Sequence, residues 1–280
     1  MGKRTQSFDP RQVMGRANME AFHNYDRQQR DVDLHHHDFY EIYYFISGDV
    51  EYRVEGKSYT LQTGDLLLIS PGVFHQPVVQ PGIPYERIVL WLDREYLATL
   101  DSYGAAFTSC FDPTGAVLLH PTAEDQSAIF SALDTLCEEF TTDRADAPLY
   151  RHGLCLQVLS CIGRLTAESA PKQVSQTPEL VEQVLAYIAA HFQEKLTLQQ
   201  LADHFYVSKY HLSHTFSAKV GTSVYRYILL KRLLAARELL ATGRTPSEAC
   251  RSCGFQDYAN FYRAFQAEYG ISPSGFSARN

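Results

Sequence analysis

Long apolar runs are missing from this chain: nothing in its 280 residues approaches the ~20 consecutive apolar positions that cross a bilayer. The opening segment, MGKRTQSFDP, has no apolar stretch behind its basic residues, so no secretory leader is read there. A cytoplasmic protein with no membrane partner is the expectation. Cysteine is also sparse. Six in a chain of this length do not make a disulfide framework. Cys110, Cys137, Cys155 and Cys161 sit among apolar neighbours and read as small core residues. Cys250 and Cys253 form a single C-x-x-C, two ligands short of a zinc knuckle, so metal or redox use of that pair is a minor reading. Positive charge is in deficit as well. The net charge of −7 argues at first against a nucleic-acid partner. The deficit is uneven, however: after position 178 the chain carries 11 Lys and Arg against 8 Asp and Glu, or +3, which leaves −10 for the front. That asymmetry suits an acidic sensor joined to a DNA reader.

What is present falls into two patterns. Up to about residue 115 the chain reads as short strands separated by turns. Glu41–Ser47 is rich in aromatic and β-branched residues and ends at Gly48-Asp49. Val50, Tyr52 and Val54 alternate with charged residues, Gly56-Lys57 turns the chain, Ser58–Leu61 continues, and Leu66–Ile69 and Arg87–Leu92 follow. Such spacing predicts a barrel or jelly roll. From Ala123 the period becomes helical, with Ile129, Leu133, Leu136, Cys137 and Phe140 on one face and a second helix from Leu149 to about Leu165. The polar segment Ala167–Pro178 reads as a linker. The expected division is therefore a sensor and dimerisation domain at 1–166, a linker at 167–178 and a helical domain at 179–280: an α+β multidomain chain.

Helix signals crowd the last hundred residues. Thr197-Leu-Gln-Gln200 is a capping box, Ser208 caps the next helix, and that helix stops at Gly221. Two short helices joined so tightly make a helix-turn-helix. The arrangement recurs about 48 positions later: Thr245-Pro-Ser-Glu248 is a second capping box with Pro246 at its first helical position, Asp257 caps another helix, and Gly270 stops it. Between the copies Val224–Ala241 reads as one long helix with Tyr227, Leu230, Leu234 and Leu239 on its apolar side.

The stretches LADHFYVSKYHLSHTFSAKVGTSVYRYILLKRLLAARELL and GFQDYANFYRAFQAEYGISPSGF resemble the DNA-binding domain of the AraC/XylS transcriptional regulators. The resemblance implies two recognition helices about one turn of DNA apart, each entering a major groove. Their outward residues would be Lys209, Tyr210, Ser213 and His214 in the first and Tyr258, Ala259, Tyr262 and Arg263 in the second, with Leu212, Phe216, Phe261 and Phe265 as core. Arg263 is the candidate for a bidentate contact to guanine. Pro246, Ala249 and Cys250 stand where family members carry larger or more regular apolar residues, so the first helix of the second unit is expected to pack less tightly.

In the front half His35-x-His37-x-x-x-Glu41, then Gly64, Pro71-Gly72 and His75, resembles the two motifs of a cupin barrel. In metal-binding cupins the matching set holds a divalent metal, so His35, His37, Glu41 and His75 are candidate ligands for Zn, Ni, Fe or Mn. On an extended strand His35 and His37 share a face and His36 opposes them. The alternatives are direct contact with an organic effector, with Tyr43 and Trp91 as stacking faces beside the same four residues, and a purely structural role. The expected function is a cytoplasmic, dimeric, sequence-specific DNA-binding regulator answering to a small molecule such as a sugar. Double-stranded DNA is its partner, and RNA polymerase too if it activates. A metal-sensing regulator is the alternative, and a cupin metalloenzyme a more remote one.

Overall fold

A computed structural model describes residues 13–27, 32–104, 106–142, 144–168 and 179–277. The chain divides into two compact units, residues 1–175 and 176–280. The expected linker lies mostly outside the described residues.

The first unit begins with strands β1 (Met19–Asp26), β2 (Tyr40–Ser47), β3 (Val50–Val54), β4 (Lys57–Thr60), β5 (Leu66–Ile69), β6 (His75–Val79) and β7 (Tyr85–Leu92). Helix α1 (Arg94–Ser102), strand β8 (Ala116–Leu119) and helices α2 (Ala123–Glu139) and α3 (Ala147–Glu168) complete it. Helix α3 thus runs two residues into the stretch read as linker. The strands form two antiparallel sheets, one in the order β1-β7-β2-β5-β8 and one in the order β4-β3-β6.

The larger sheet is covered on both faces, which explains why β2, β5 and β7 read as nearly continuous apolar runs. Its inner face meets the smaller sheet through Tyr43, Phe45, Leu67, Ile69, Val89 and Trp91, opposed by Val50, Tyr52 and Val54. Its outer face, with Ile42, Tyr44, Leu66, Leu68, Ile88 and Leu90, is covered by α1, α2 and α3. Helix α3 contributes Leu154, Cys155, Val158, Leu159 and Ile162 to that layer.

The second unit is helical: α4 (Leu180–His191), α5 (Leu198–His204), α6 (Lys209–Val220), α7 (Val224–Ala241), α8 (Pro246–Ser252), α9 (Tyr258–Tyr269) and α10 (Pro273–Ser277). Both capping boxes form, and the side chains of Ser208 and Asp257 accept the first-turn amides of α6 and α9. Glycines 221 and 270 end α6 and α9 in the left-handed conformation. Two expectations need correcting. On α7 Leu233, Ala236 and Leu240 are buried together with Val224, Tyr227, Ile228 and Leu230, whereas Leu234 and Leu239 are only half-buried. The helix is packed by α6, α8 and α10 on several sides, so no single stripe describes it. Helix α8 is not loosely held: Ala249 and Cys250 are buried with Cys253 against Leu233, Phe261 and Phe265, because small side chains let α8 approach α7 closely.

The duplication has an offset that a single repeat length conceals. Thr197 and Thr245, and the left-handed turn residues Tyr206 and Gly254, are 48 positions apart. After the turn, Leu212 and Phe261, Phe216 and Phe265, and Gly221 and Gly270 are 49 apart. The second turn is therefore one residue longer.

Candidate functional site

In the helical unit the two turns share one hydrogen-bond solution. Val207 N–H donates to Ala202 C=O at 3.0 Å, and Phe255 N–H donates to Cys250 C=O at 3.2 Å. Each bond reverses the chain within a few residues and so aims the following helix outward. On α6, Leu212 and Phe216 are buried while Lys209, Tyr210 and His214 are exposed, and Ser213 is half-buried. On α9, Phe261 and Phe265 are buried while Tyr258, Ala259, Tyr262 and Arg263 are exposed. All eight proposed DNA-reading residues thus lie off the core, seven of them exposed and Ser213 half-buried.

Sequence reasoning passed over neighbours of these residues. Asn260 accepts a hydrogen bond from Arg263 Nη2 at 2.5 Å, which orients the guanidinium. Ser217 extends the surface formed by Tyr210, Ser213 and His214. The exposed loop before α5 was also missed, since no local pattern marks it. Arg232 on α7 donates to the carbonyls of Phe192 at 2.7 Å and Glu194 at 2.6 Å. From the other side, a Cβ at Gly254 would meet Gln193 O at 2.3 Å, and Gly254 has φ +78°. The turn of the second unit therefore requires glycine twice over, for its backbone sign and for a neighbouring carbonyl.

In the barrel unit three of the four cupin-like residues converge. The ligand atoms of His37, Glu41 and His75 lie within 4.8 Å of one another, and all three residues are buried. His35 reaches the same place through a single β-bridge with His75, its ring 4.3 Å from the His75 ring and edge-on. His37 also packs edge-on to His75, at 4.8 Å, whereas His36 packs on Phe74, as alternation requires.

Backbone carbonyls choose the tautomers. Nδ1–H of His35, His37 and His75 donates to Asp33 O, Phe39 O and Val73 O at 2.8, 2.8 and 2.9 Å. A neutral ring so fixed carries its lone pair on Nε2. The Nε2 atoms of His37 and His75 are buried without a hydrogen-bond partner. Glu41 is held from behind: Trp91 Nε1–H donates to Oε2 at 2.9 Å and the Tyr52 hydroxyl to Oε1 at 3.3 Å. The same Oε2 stands 3.3 Å from His37 Nε2. Burial alone would raise the Glu41 carboxyl, but the imidazoles of His37, His75 and His35 around it outweigh that and bring it down to about 2. Burial drives His75 well below its ordinary value and lowers His35 as well. Metal binding by such side chains needs the carboxylate ionised and the imidazoles neutral.

The two proposed stacking residues are already engaged. The Tyr43 hydroxyl is hydrogen-bonded to that of Tyr85, and the Trp91 ring packs on Phe22 and Phe39 at 4.7 and 4.6 Å. The cysteine pair is likewise committed to core: Cys250 and Cys253 are both buried, and burial pushes the Cys253 thiol up to about 11.

Comparison with known proteins agrees with both halves. Residues 17–159 match the model of the AraC-like ligand binding domain, and residues 201–279 match that of a helix-turn-helix domain. The HTH-type transcriptional regulator YfiF of Bacillus subtilis is 27% identical over 257 residues, covering 87% of this chain and 78% of that protein. The HTH-type transcriptional activator RhaS of Salmonella heidelberg is 25% identical over 245 residues, covering 85% of each. Both relatives are named as regulators of transcription. No described helix is long and apolar enough to cross a membrane. With its sensor model alone spanning more than half of the sequence and the DNA-reading model filling most of the remainder, this chain belongs to the AraC family of DNA-binding transcriptional regulators.

Proposed function

We propose that the barrel senses its effector at the His37, Glu41 and His75 cluster, and that binding there changes the affinity of the helical unit for its operator. One observation carries the proposal. The buried Nε2 of His75 has no hydrogen-bond partner among the described residues, and it converges with His37 Nε2 and the Glu41 carboxylate within 4.8 Å. Such an arrangement is costly unless a cation or a hydrogen-bond donor occupies it.

A divalent transition metal fits the donor set, with imidazole and carboxylate suiting Zn, Ni, Fe or Mn. Trp91 and Tyr52 would hold Glu41 in place, and three backbone carbonyls would hold the rings, as outer partners do in metal sites. His35 packs on the His75 ring but is not one of the three residues whose ligand atoms converge. An organic effector such as a sugar is the second reading. The engagement of Tyr43 with Tyr85 and of Trp91 with Glu41 favours the metal over it, because a sugar would have to displace contacts already made.

The outer face of α3 supports a homodimer. Leu149, Gly153, Leu156, Ser160, Gly163 and Ala167 recur at alternating spacings of four and three, Leu149 is 78% exposed, and a Cβ at Gly153 or Gly163 would meet nothing within 4 Å. That is the spacing of a helix seam awaiting a like helix. Contact with RNA polymerase follows if the chain activates.

Elemental analysis of protein purified without chelator tests the metal reading, with near-stoichiometric metal expected. Zn, Ni, Fe or Mn salts should raise the melting temperature of stripped protein, and His75→Ala should abolish that rise. DNA titrations with and without the metal then test the switch, which requires that the metal favour one DNA-binding state over the other. A protein that takes up neither metal nor sugar, or whose DNA affinity ignores both, would remove the sensing proposal.

A further inference from the structure

Besides its two outward helices, the helical unit has a cleft of about 680 Å³ between its helix-turn-helix copies, which the recognition-helix reading touches only at Arg263. One wall is the loop before α5 with Lys195, a second is the start of α7 with Tyr225 and Arg232, and a third is the second turn and α9 with Gln256, Asn260 and Arg263. Its rim is cationic. Lys195 is exposed and has no ion-pair partner among the described residues, and Arg263 is exposed at the opposite wall. One carboxylate lines the cleft, that of Asp257, and it accepts the Ala259 amide at 2.7 Å as the cap of α9. Tyr225 is 77% exposed, a large ring left uncovered at the cleft mouth.

The walls are also held in place. Arg232 fastens the carbonyls of Phe192 and Glu194 to α7, and Gly254 brings the second turn against Gln193 of the same loop. Lys195 therefore sits on a loop braced by α7 and by the second copy.

We propose that this cleft is a docking surface for the sugar-phosphate backbone of the DNA strand that passes between the two recognition helices. Lys195 contacts phosphate, Tyr225 lies against the sugar edge, and Arg263 is available to phosphate from the α9 side. The chemistry selects this occupant. Lys195 and Arg263 on opposite walls, with one already engaged carboxylate, match a polyanion, and the exposed ring of Tyr225 at the mouth matches a sugar between phosphates. Contacts of this kind position a duplex and carry no sequence information.

The test uses the full chain and a fluorescent duplex of arbitrary sequence, titrated by anisotropy across a range of salt concentrations. Wild type should bind with a salt-dependent constant. Lys195→Gln should reduce the slope of log K against log salt by about 0.9, the share of one phosphate contact. It should weaken binding by the same factor on any duplex. Tyr225→Ala should weaken binding with the slope unchanged. Lys219→Gln, whose ammonium pairs with Glu179 and does not line the cleft, should leave the slope at the wild-type value. A Lys195→Gln slope equal to wild type, with folding intact by circular dichroism, overturns the proposal. A slope lowered equally by Lys219→Gln also overturns it, because the effect is then one of net charge. Wild type that binds no duplex at low salt would instead contradict the DNA-binding assignment itself.

Discussion

Each histidine of the barrel cluster gives one nitrogen to a carbonyl two residues away and keeps the other for something else. The pH dependence of stability follows. His75 is held well below its ordinary value in the folded chain, mainly by burial, and His35 is lowered for the same reason. In the unfolded chain both titrate near about 6.5. Between the folded and unfolded values the unfolded chain binds the extra protons, so stability falls as pH drops below about 6.5. Glu41 acts in a lower window: its folded value of about 2 gives stability that is lost as pH falls from the ordinary carboxylate range toward that value. Urea denaturation of chelator-treated protein should show a lower midpoint at about pH 5.5 than at about pH 7.5, and His75→Gln should shrink the difference. The residue types of the cluster were legible in the sequence because their spacing is local. The engagement of Glu41 by Trp91 was not, since it depends on the register that sets Glu41 opposite Trp91 across β2 and β7.

At the scale of elements, helix ends were the most readable feature, because caps and stops are written in adjacent residues. Strands β1, β6 and β8 escaped notice. None has a clean alternation, and each is defined by a partner distant in the chain. The extra residue of the second turn was also hidden, since both copies begin with the same box. Two predictions belong here. Tyr206 holds a left-handed turn with φ +56° while 96% exposed, so its side chain gains little from its position. Tyr206→Gly should stabilise the helical unit by about 0.5–1 kcal/mol, relief of the left-handed strain exceeding the entropy lost by glycine. A rise in melting temperature checks this. On α3, Leu156→Glu places a charge in the exposed seam without touching the buried face. Sedimentation equilibrium should show a shift from dimer toward monomer, and an unchanged mass would remove α3 as the contact.

At the scale of the molecule, the division into an acidic β-rich half and a more basic helical half could be read from charge and periodicity alone. What could not be read is how the two helix-turn-helix copies are kept in register with each other, because the residues responsible are a glycine, an arginine and a loop with no motif. Gly254→Ala should therefore cost more DNA affinity than stability. The added methyl has to move the Gln193 carbonyl that braces the first copy against the second. Anisotropy titration beside thermal melting separates the two effects.

A brace of that kind makes the protein a ruler. Inserting one base pair between the half-operators turns the far one by about 35° around the duplex axis. A hinged pair of readers would follow it, whereas a fixed pair cannot. Operators for this regulator should accordingly tolerate changed letters between their half-sites far better than a changed number of them.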